Sequence, residues 1–201
     1  GLAGGLFAMA RTSGRTGGTI DSMPLMRLDP ATHAYADTLG WLRIPAMKVA
    51  GASGMILPPN TMFAPADDWG VAPDGRVAFV RAKPYRVQWL EVDGRWTNRP
   101  VIETSRLRVT EQDKREVRDA MGDSIGVLAN KSTGTKPARA MRLSEVTFAE
   151  FKPPFQVRAV SISPDGHVWV RRLSSAGKSD VIYDVFDQKG MRIDRVQLPS
   201  R

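Results

Sequence analysis

The chain has 201 residues, 42% of them hydrophobic and 25% charged, with a formal net charge of +8. That balance is ordinary for a folded protein and argues against wholesale disorder and against a disulfide-stapled mini-domain. The absence of cysteine excludes disulfides, thiolate catalysis and cysteine zinc sites, and His33 and His167 alone leave imidazole chemistry little material.

No run of about 18 apolar residues occurs, so the sequence predicts no membrane-spanning helix. The opening Leu2 to Ala10 has two readings, the end of a signal peptide or a β-strand. Gly14-Arg15-Thr16-Gly17-Gly18 has the composition of a phosphate loop but lacks the following Lys-Ser/Thr and helix, and reads as a flexible connection. Strands follow at Leu25 to Leu28 and Tyr35 to Ile44, with His33 in the turn between them. After an insertion, Asp68-Trp69-Gly70-Val71-Ala72 leads into Pro73-Asp74-Gly75 and the strand Arg76 to Arg81. Asp-Gly before alternating β-branched and aromatic residues is a strong hairpin signal, because glycine tolerates the positive φ of a primed turn. Val87 to Val92 and Trp96 to Thr104, with a bend at Pro100, complete that group.

Glu103 to Phe155 is a second insertion. Within it Thr110-Glu111-Gln112-Asp113 is a capping box with Asp in the Glu/Gln position, so a helix is predicted over Glu111 to Met121. Glu111 with Arg115 and Arg115 with Asp119 supply i,i+4 pairs, and Val117 and Met121 share a face. The helix reads either as a lid or as a spacer packed on the adjoining strands. Gln156 to Ile162, Val168 to Arg171, Tyr183 to Phe186 and Met191 to Leu198 then supply four more strands.

The chain repeats itself. Pro73-Asp74-Gly75-Arg76-Val77-Ala78-Phe79-Val80-Arg81 matches Pro164-Asp165-Gly166-His167-Val168-Trp169-Val170-Arg171, and Gly4-Gly5-Leu6-Phe7-Ala8-Met9-Ala10-Arg11 is a worn third copy aligned on Gly5. Each unit reads as four antiparallel strands, the first copy lacking its opening strand. Units of this kind used repeatedly are the blades of a β-propeller. The Pro-Asp-Gly turn, the Tyr183-Asp184-Val185-Phe186-Asp187 strand and the closing Val196-Gln197-Leu198-Pro199 resemble bacterial six-bladed β-propellers of the TolB-like and NHL-like kind. The expected fold is therefore all-β, a propeller fragment of about three four-stranded blades with one short helix. Its blades lie at about 1–44, 66–104 and 155–200, and its insertions at 45–65 and 105–154. The resemblance implies an extracytoplasmic setting, and the missing blades of the same propeller as a partner.

In such a blade the short Asp-Gly turns share one end and the long connections the other. The long connections carry almost the whole net charge of the chain. Loops on a rigid scaffold are where binding residues gather. The candidate binding residues are Arg81, Lys83, Tyr85 and Arg86 together with Arg171, Arg172 and Lys178, set to receive a protein or an anionic ligand. Nucleic acid is disfavoured, because the basic-aromatic cluster is short and acids are interspersed in the insertion. Asp67 and Asp68 open an innermost strand at the loop end, which makes Asp68 the candidate ligand for Ca²⁺, though adjacent strand residues point opposite ways. The leading reading is a non-catalytic binding or scaffold module. Its rival is a metal-dependent hydrolase of the lactonase kind, with Asp68 lining the channel.

Overall fold

Four turns of one kind organise the molecule. At Pro73-Asp74-Gly75 the Gly75 amide donates to Ala72 O at 2.9 Å, the Ala72 amide to Arg76 O at 2.8 Å, and Gly75 sits at φ 88°. Gly94, Gly166 and Gly190 repeat this pattern at φ 85°, 80° and 76°. The hydrogen bonds span three-residue loops closed by a left-handed glycine, where the sequence suggested two-residue primed turns; both forms need glycine for the same steric reason.

The computed structural model describes residues 6–9, 18–29, 31–32, 34–50, 55–57, 59–121, 124–125, 141–142, 146–177 and 180–199. It is mostly β, with α1 (Glu111–Met121) as the one helix among the described residues. Three four-stranded antiparallel sheets dominate. Sheet 1 runs in the order β1 (Leu6–Met9), β2 (Thr19–Leu28), β3 (Tyr35–Ala50), β4 (Met55–Leu57). Two short strands follow, β5 (Thr61–Met62) and, first in sheet 2, β6 (Asp68–Val71). Sheet 2 continues with β7 (Val77–Ala82), β8 (Tyr85–Leu90) and β9 (Trp96–Asn98). Beyond α1 come β10 (Ser124–Ile125), paired with β11 (Met141–Arg142), and β12 (Thr147–Phe148), which lies parallel to β5. Sheet 3 is β13 (Val160–Ile162), β14 (Val168–Arg171), β15 (Val181–Phe186) and β16 (Arg192–Leu198).

Sheet 2 is covered on both faces, which is why β7 reads as an unbroken buried run and not as an alternation. Val77, Phe79 and Leu90 pack with Leu25 and Leu42 of sheet 1. Ala78, Val80, Tyr85, Val87 and Trp89 pack with Val168, Val170 and Phe186 of sheet 3 and with Phe155. Val168 and Val170 occupy the repeat positions of Val77 and Phe79, so sheet 3 meets sheet 2 through the same face that sheet 2 turns to sheet 1. The edge strands β6 and β13 meet directly, since a Cβ at Gly70 would lie 3.0 Å from Ile162 Cδ1. Gly40 gives the matching close approach on the other side. A Cβ there would lie 3.0 Å from the Phe79 ring and 3.1 Å from Trp96. Gly40→Val is therefore expected to cost about 1–3 kcal/mol through overpacking, read as a lower midpoint in urea unfolding with little change in slope.

Several boundaries differ from the sequence reading. The worn repeat is one residue out of step with the alignment on Gly5. Met9 pairs with Leu25, and Leu25 points at sheet 2 as Val87, opposite Val80, points at sheet 3. Leu6 therefore corresponds to Val77, since a one-residue slip would turn every side chain to the other face. The hairpin of β2 and β3 is longer than expected, reaching Thr19 and Ala50, because Ile20, Ile44 and Val49 form their own apolar cluster. β9 stops at Asn98, before Pro100, which has no amide to continue a ladder. Of the tryptophans, Trp89 is fully buried, whereas Trp41 is 52% exposed, because its neighbour Leu42 takes the face of β3 turned to sheet 2. His33 and Gly14 to Gly17 lie outside the described residues.

The helix is anchored, and its capping box forms. The Asp113 amide donates to Thr110 Oγ1 at 3.2 Å, and Asp113 Oδ2 accepts from the Thr110 amide at 2.8 Å. Glu111 pairs with Lys114 at 2.6 Å, a nearer partner than the expected Arg115. The other oxygen of Asp113 lies 2.5 Å from Lys152 Nζ, both side chains being almost fully buried. Burial pushes the Asp113 carboxyl up, but the Lys152 ammonium and the Thr110 hydrogen bonds outweigh it and leave its pKa below the usual 3.8. A carboxyl with a lowered folded-state pKa stabilises above its unfolded value, and that stability drains away as pH falls through the folded one. Helical ellipticity and amide protection at Thr110 to Lys114 are thus expected to fall at pH below about 3.8 and to persist above it. Asp113→Asn should remove this acid transition.

Candidate functional site at the basic loop end

Opposite the glycine turns, the connection Ala82 to Tyr85, the stretch Arg172 to Gly177 with Asp180, the helix, and the segments around Pro65, Ile102 and Phe151 converge. Two cavities open there. One, of about 520 Å³, lies between Glu116 and Val117 of α1, Arg158, and the stretch Arg171 to Gly177. The other, of about 530 Å³, is walled by Lys83, Pro84, Tyr85, Arg106, Phe151 and Arg172. The candidate residues Lys83, Tyr85, Arg171 and Arg172 thus border the cavities, and Arg81 and Arg86 sit on the strands beside the Lys83-Pro84 turn. Lys178 lies outside the described residues.

These residues do not all remain available to a ligand. Arg81 donates to Asp67 Oδ2 at 2.9 Å, to Gln88 Oε1 at 2.6 Å and to Trp41 O at 2.6 Å. Arg172 lies 3.0 Å from Asp184 Oδ2. Tyr85 is 3% exposed, and its hydroxyl donates to the same Asp184 oxygen at 3.1 Å. Burial, followed by the Asp184 charge, raises the Tyr85 phenol well above its ordinary value, so it stays protonated. Arg171 and Lys83 are exposed.

Asp184 is fully buried and was not among the candidates. Arg195 Nε reaches its Oδ1 at 2.7 Å, and Arg192 lies 3.9 Å away. The repeat explains its presence. Arg172 occupies the position of Arg81, and Asp184, opposite Val170, that of Gln88, opposite Phe79. In sheet 2 the arginine is neutralised by Asp67, so the β8 partner is the neutral Gln88. In sheet 3 the residue corresponding to Asp67 is Arg158, and the carboxylate comes from β15. A carboxylate amid the apolar residues of a buried strand was the available signal, since unpaired acids are almost never fully buried.

Asp68 opens β6 and Asp67 precedes it, and each grips a different neighbour. Asp67 accepts from the Arg43 amide of sheet 1 at 3.0 Å and from the Ala82 amide at 3.0 Å. Asp68 Oδ2 accepts from the Ala159 and Val160 amides of sheet 3 at 2.8 and 3.0 Å, and Oδ1 from the Trp69 amide at 3.0 Å. Burial pushes the Asp68 carboxyl above its usual value against the pull of those amides. Ca²⁺ needs several oxygens in one place, and here the carboxylate faces positive N–H groups. Among the described residues no three His, Asp or Glu side chains gather where they could hold a metal. The arrangement does not fit a cation, and Asp67 and Asp68 are staples between sheets. His167 forms part of a glycine turn, its Nδ1 2.5 Å from Asp165, at the end away from the cavities.

Comparisons with protein-family models, with curated proteins and with solved structures find no match.

Proposed function

We propose that the protein is a non-catalytic binding module, a β-propeller-like fan of blades whose basic loop end receives an acidic protein surface or another anionic ligand. The observation that carries this reading is the asymmetry of the two ends. One end is closed by four compact glycine turns, while the other holds both cavities and the exposed cations Arg43, Lys83, Arg106, Arg158 and Arg171. Such a surface draws in anionic partners and orients them. The fan itself is supported by the common geometry with which sheet 3 meets sheet 2 and sheet 2 meets sheet 1. On sheet 3 the face turned away from sheet 2 carries Trp169 and Tyr183, stacked edge-to-face at 5.9 Å. They stand where sheet 2 has the buried Ala78 and Val87, which favours a further blade as a partner there. An extracytoplasmic location belongs to the same proposal. The hydrolase reading loses its support, because Asp68 is committed to backbone amides.

The test is a titration with poly-glutamate, an unstructured anion of defined charge. Binding is expected at low ionic strength, with an affinity that falls at least about tenfold between 50 and 300 mM NaCl as the charges are screened. No binding at 50 mM, or binding indifferent to salt, would overturn the proposal.

A further inference from the structure

Arg81 and Arg86 are cross-strand partners in β7 and β8, and both share the strand face of Phe79 and Gln88, which looks toward sheet 1. Like charges directly opposite one another destabilise a sheet pair unless something compensates them. Arg43 of β3 reaches the same corner, its NH1 donating to Lys83 O at 3.2 Å. Four cations, Arg43, Arg81, Lys83 and Arg86, thus surround one turn. Among the described residues Asp67 is the only carboxylate ion-paired with any of them, and it is occupied by Arg81 and two amides. Arg86 Nε is buried with no hydrogen-bond partner, an expensive state for a guanidinium donor. Arg99 Nε, beside Gly190 at the glycine-turn end, is likewise buried without a partner, whereas Arg76, Arg95 and Arg195 each have a carboxylate within 2.8 Å.

We infer that this corner between sheets 1 and 2 is a binding site for a phosphate group, held by Arg86, Arg43 and Lys83. Among the described residues three of the four charges have no carboxylate; a phosphate dianion offsets two of them, and a guanidinium presents paired N–H donors to adjacent phosphate oxygens. Lys83, exposed on the turn, supplies a point charge at the mouth, while Arg81 stays with Asp67 and Gln88. The ligand is inorganic phosphate or a phosphomonoester, which offer the same three oxygens. The inference rests on the reading of the loop end as an anion-binding surface and narrows it to one position.

The experiment is thermal unfolding of the whole chain in sodium phosphate against sodium chloride of equal ionic strength. A site with a dissociation constant of about 1 mM raises Tm by about 3 °C at 10 mM phosphate. Arg86→Gln and Lys83→Gln are each expected to abolish the rise, and Arg95→Gln, at the glycine-turn end, to keep it. Without phosphate, Arg86→Gln should melt no lower than the native chain, because it relieves repulsion with Arg81. Glycerol phosphate in place of phosphate separates the two sources, the tighter of them being the ligand. An equal Tm in phosphate and chloride, or a full rise in Arg86→Gln, would overturn the site. Failure here with salt-dependent poly-glutamate binding intact removes the phosphate site alone, whereas loss of poly-glutamate binding removes the broader proposal.

Discussion

Asp184→Ala is expected to cost about 3–5 kcal/mol, enough to lower the melting temperature by on the order of 10 °C in a domain of this size. The carboxylate is fully buried and answers Arg172, Arg195 and the Tyr85 hydroxyl at once. Its removal strands the Arg172 guanidinium, 11% exposed, between sheets 2 and 3. The cost arises from the unpaired charge, not from any large net gain when the pair forms, since buried ion pairs recover little beyond their desolvation. A second variant separates these ideas. Asp184→Leu combined with Arg172→Met should regain most of the lost stability, while either change alone should not. Equal losses in the single and double variants would show that the knot is worth more than its charge balance.

Asp68→Ala is expected to lose about 3 kcal/mol, as the Ala159 and Val160 amides and the Trp69 amide lose their acceptor. The loss should be local in its first effects. Native-state hydrogen exchange is expected to show faster exchange in β13 and β14 than in β7 and β8. Asp67→Ala should injure the opposite boundary, freeing the Arg43 amide and leaving Arg81 without its carboxylate. Exchange that quickens evenly across all three sheets in both variants would refute the view that adjacent acids hold different neighbours.

The repeat made the sheets legible in the sequence. Asp74-Gly75 and Asp165-Gly166 marked turns that only glycine closes comfortably, and strands follow both, β14 starting at Val168 as expected and β7 at Val77, one residue later than expected. Thr110 and Asp113 placed the helix start for an equally local reason. The worn copy misled by one residue, because two adjacent glycines at Gly4 and Gly5 leave the alignment open until strand pairing decides it. The candidate site was legible as a charged end but not residue by residue. Arg81 and Arg172 are neutralised by Asp67 and Asp184, 14 and 12 positions away, through pairings that exist only once strands lie side by side. A sum of charges along a loop cannot separate such committed arginines from Arg86, whose Nε remains without a partner. Asp68 looked like a cation ligand for the same reason, since the amides that occupy it, those of Ala159 and Val160, lie 91 and 92 residues on.

The most direct measurement is poly-glutamate affinity after equal charge reversals at the two ends, Lys83→Glu with Arg171→Glu against Arg95→Glu with Lys189→Glu. All four side chains are exposed, so both pairs should fold, and the two reversals change the net charge identically. A loss of at least about tenfold in the first pair at low salt, with the second within about twofold of the native chain, is the predicted result. Equal losses in the two pairs would mean that net charge alone drives binding, and would contradict a binding surface at the loop end.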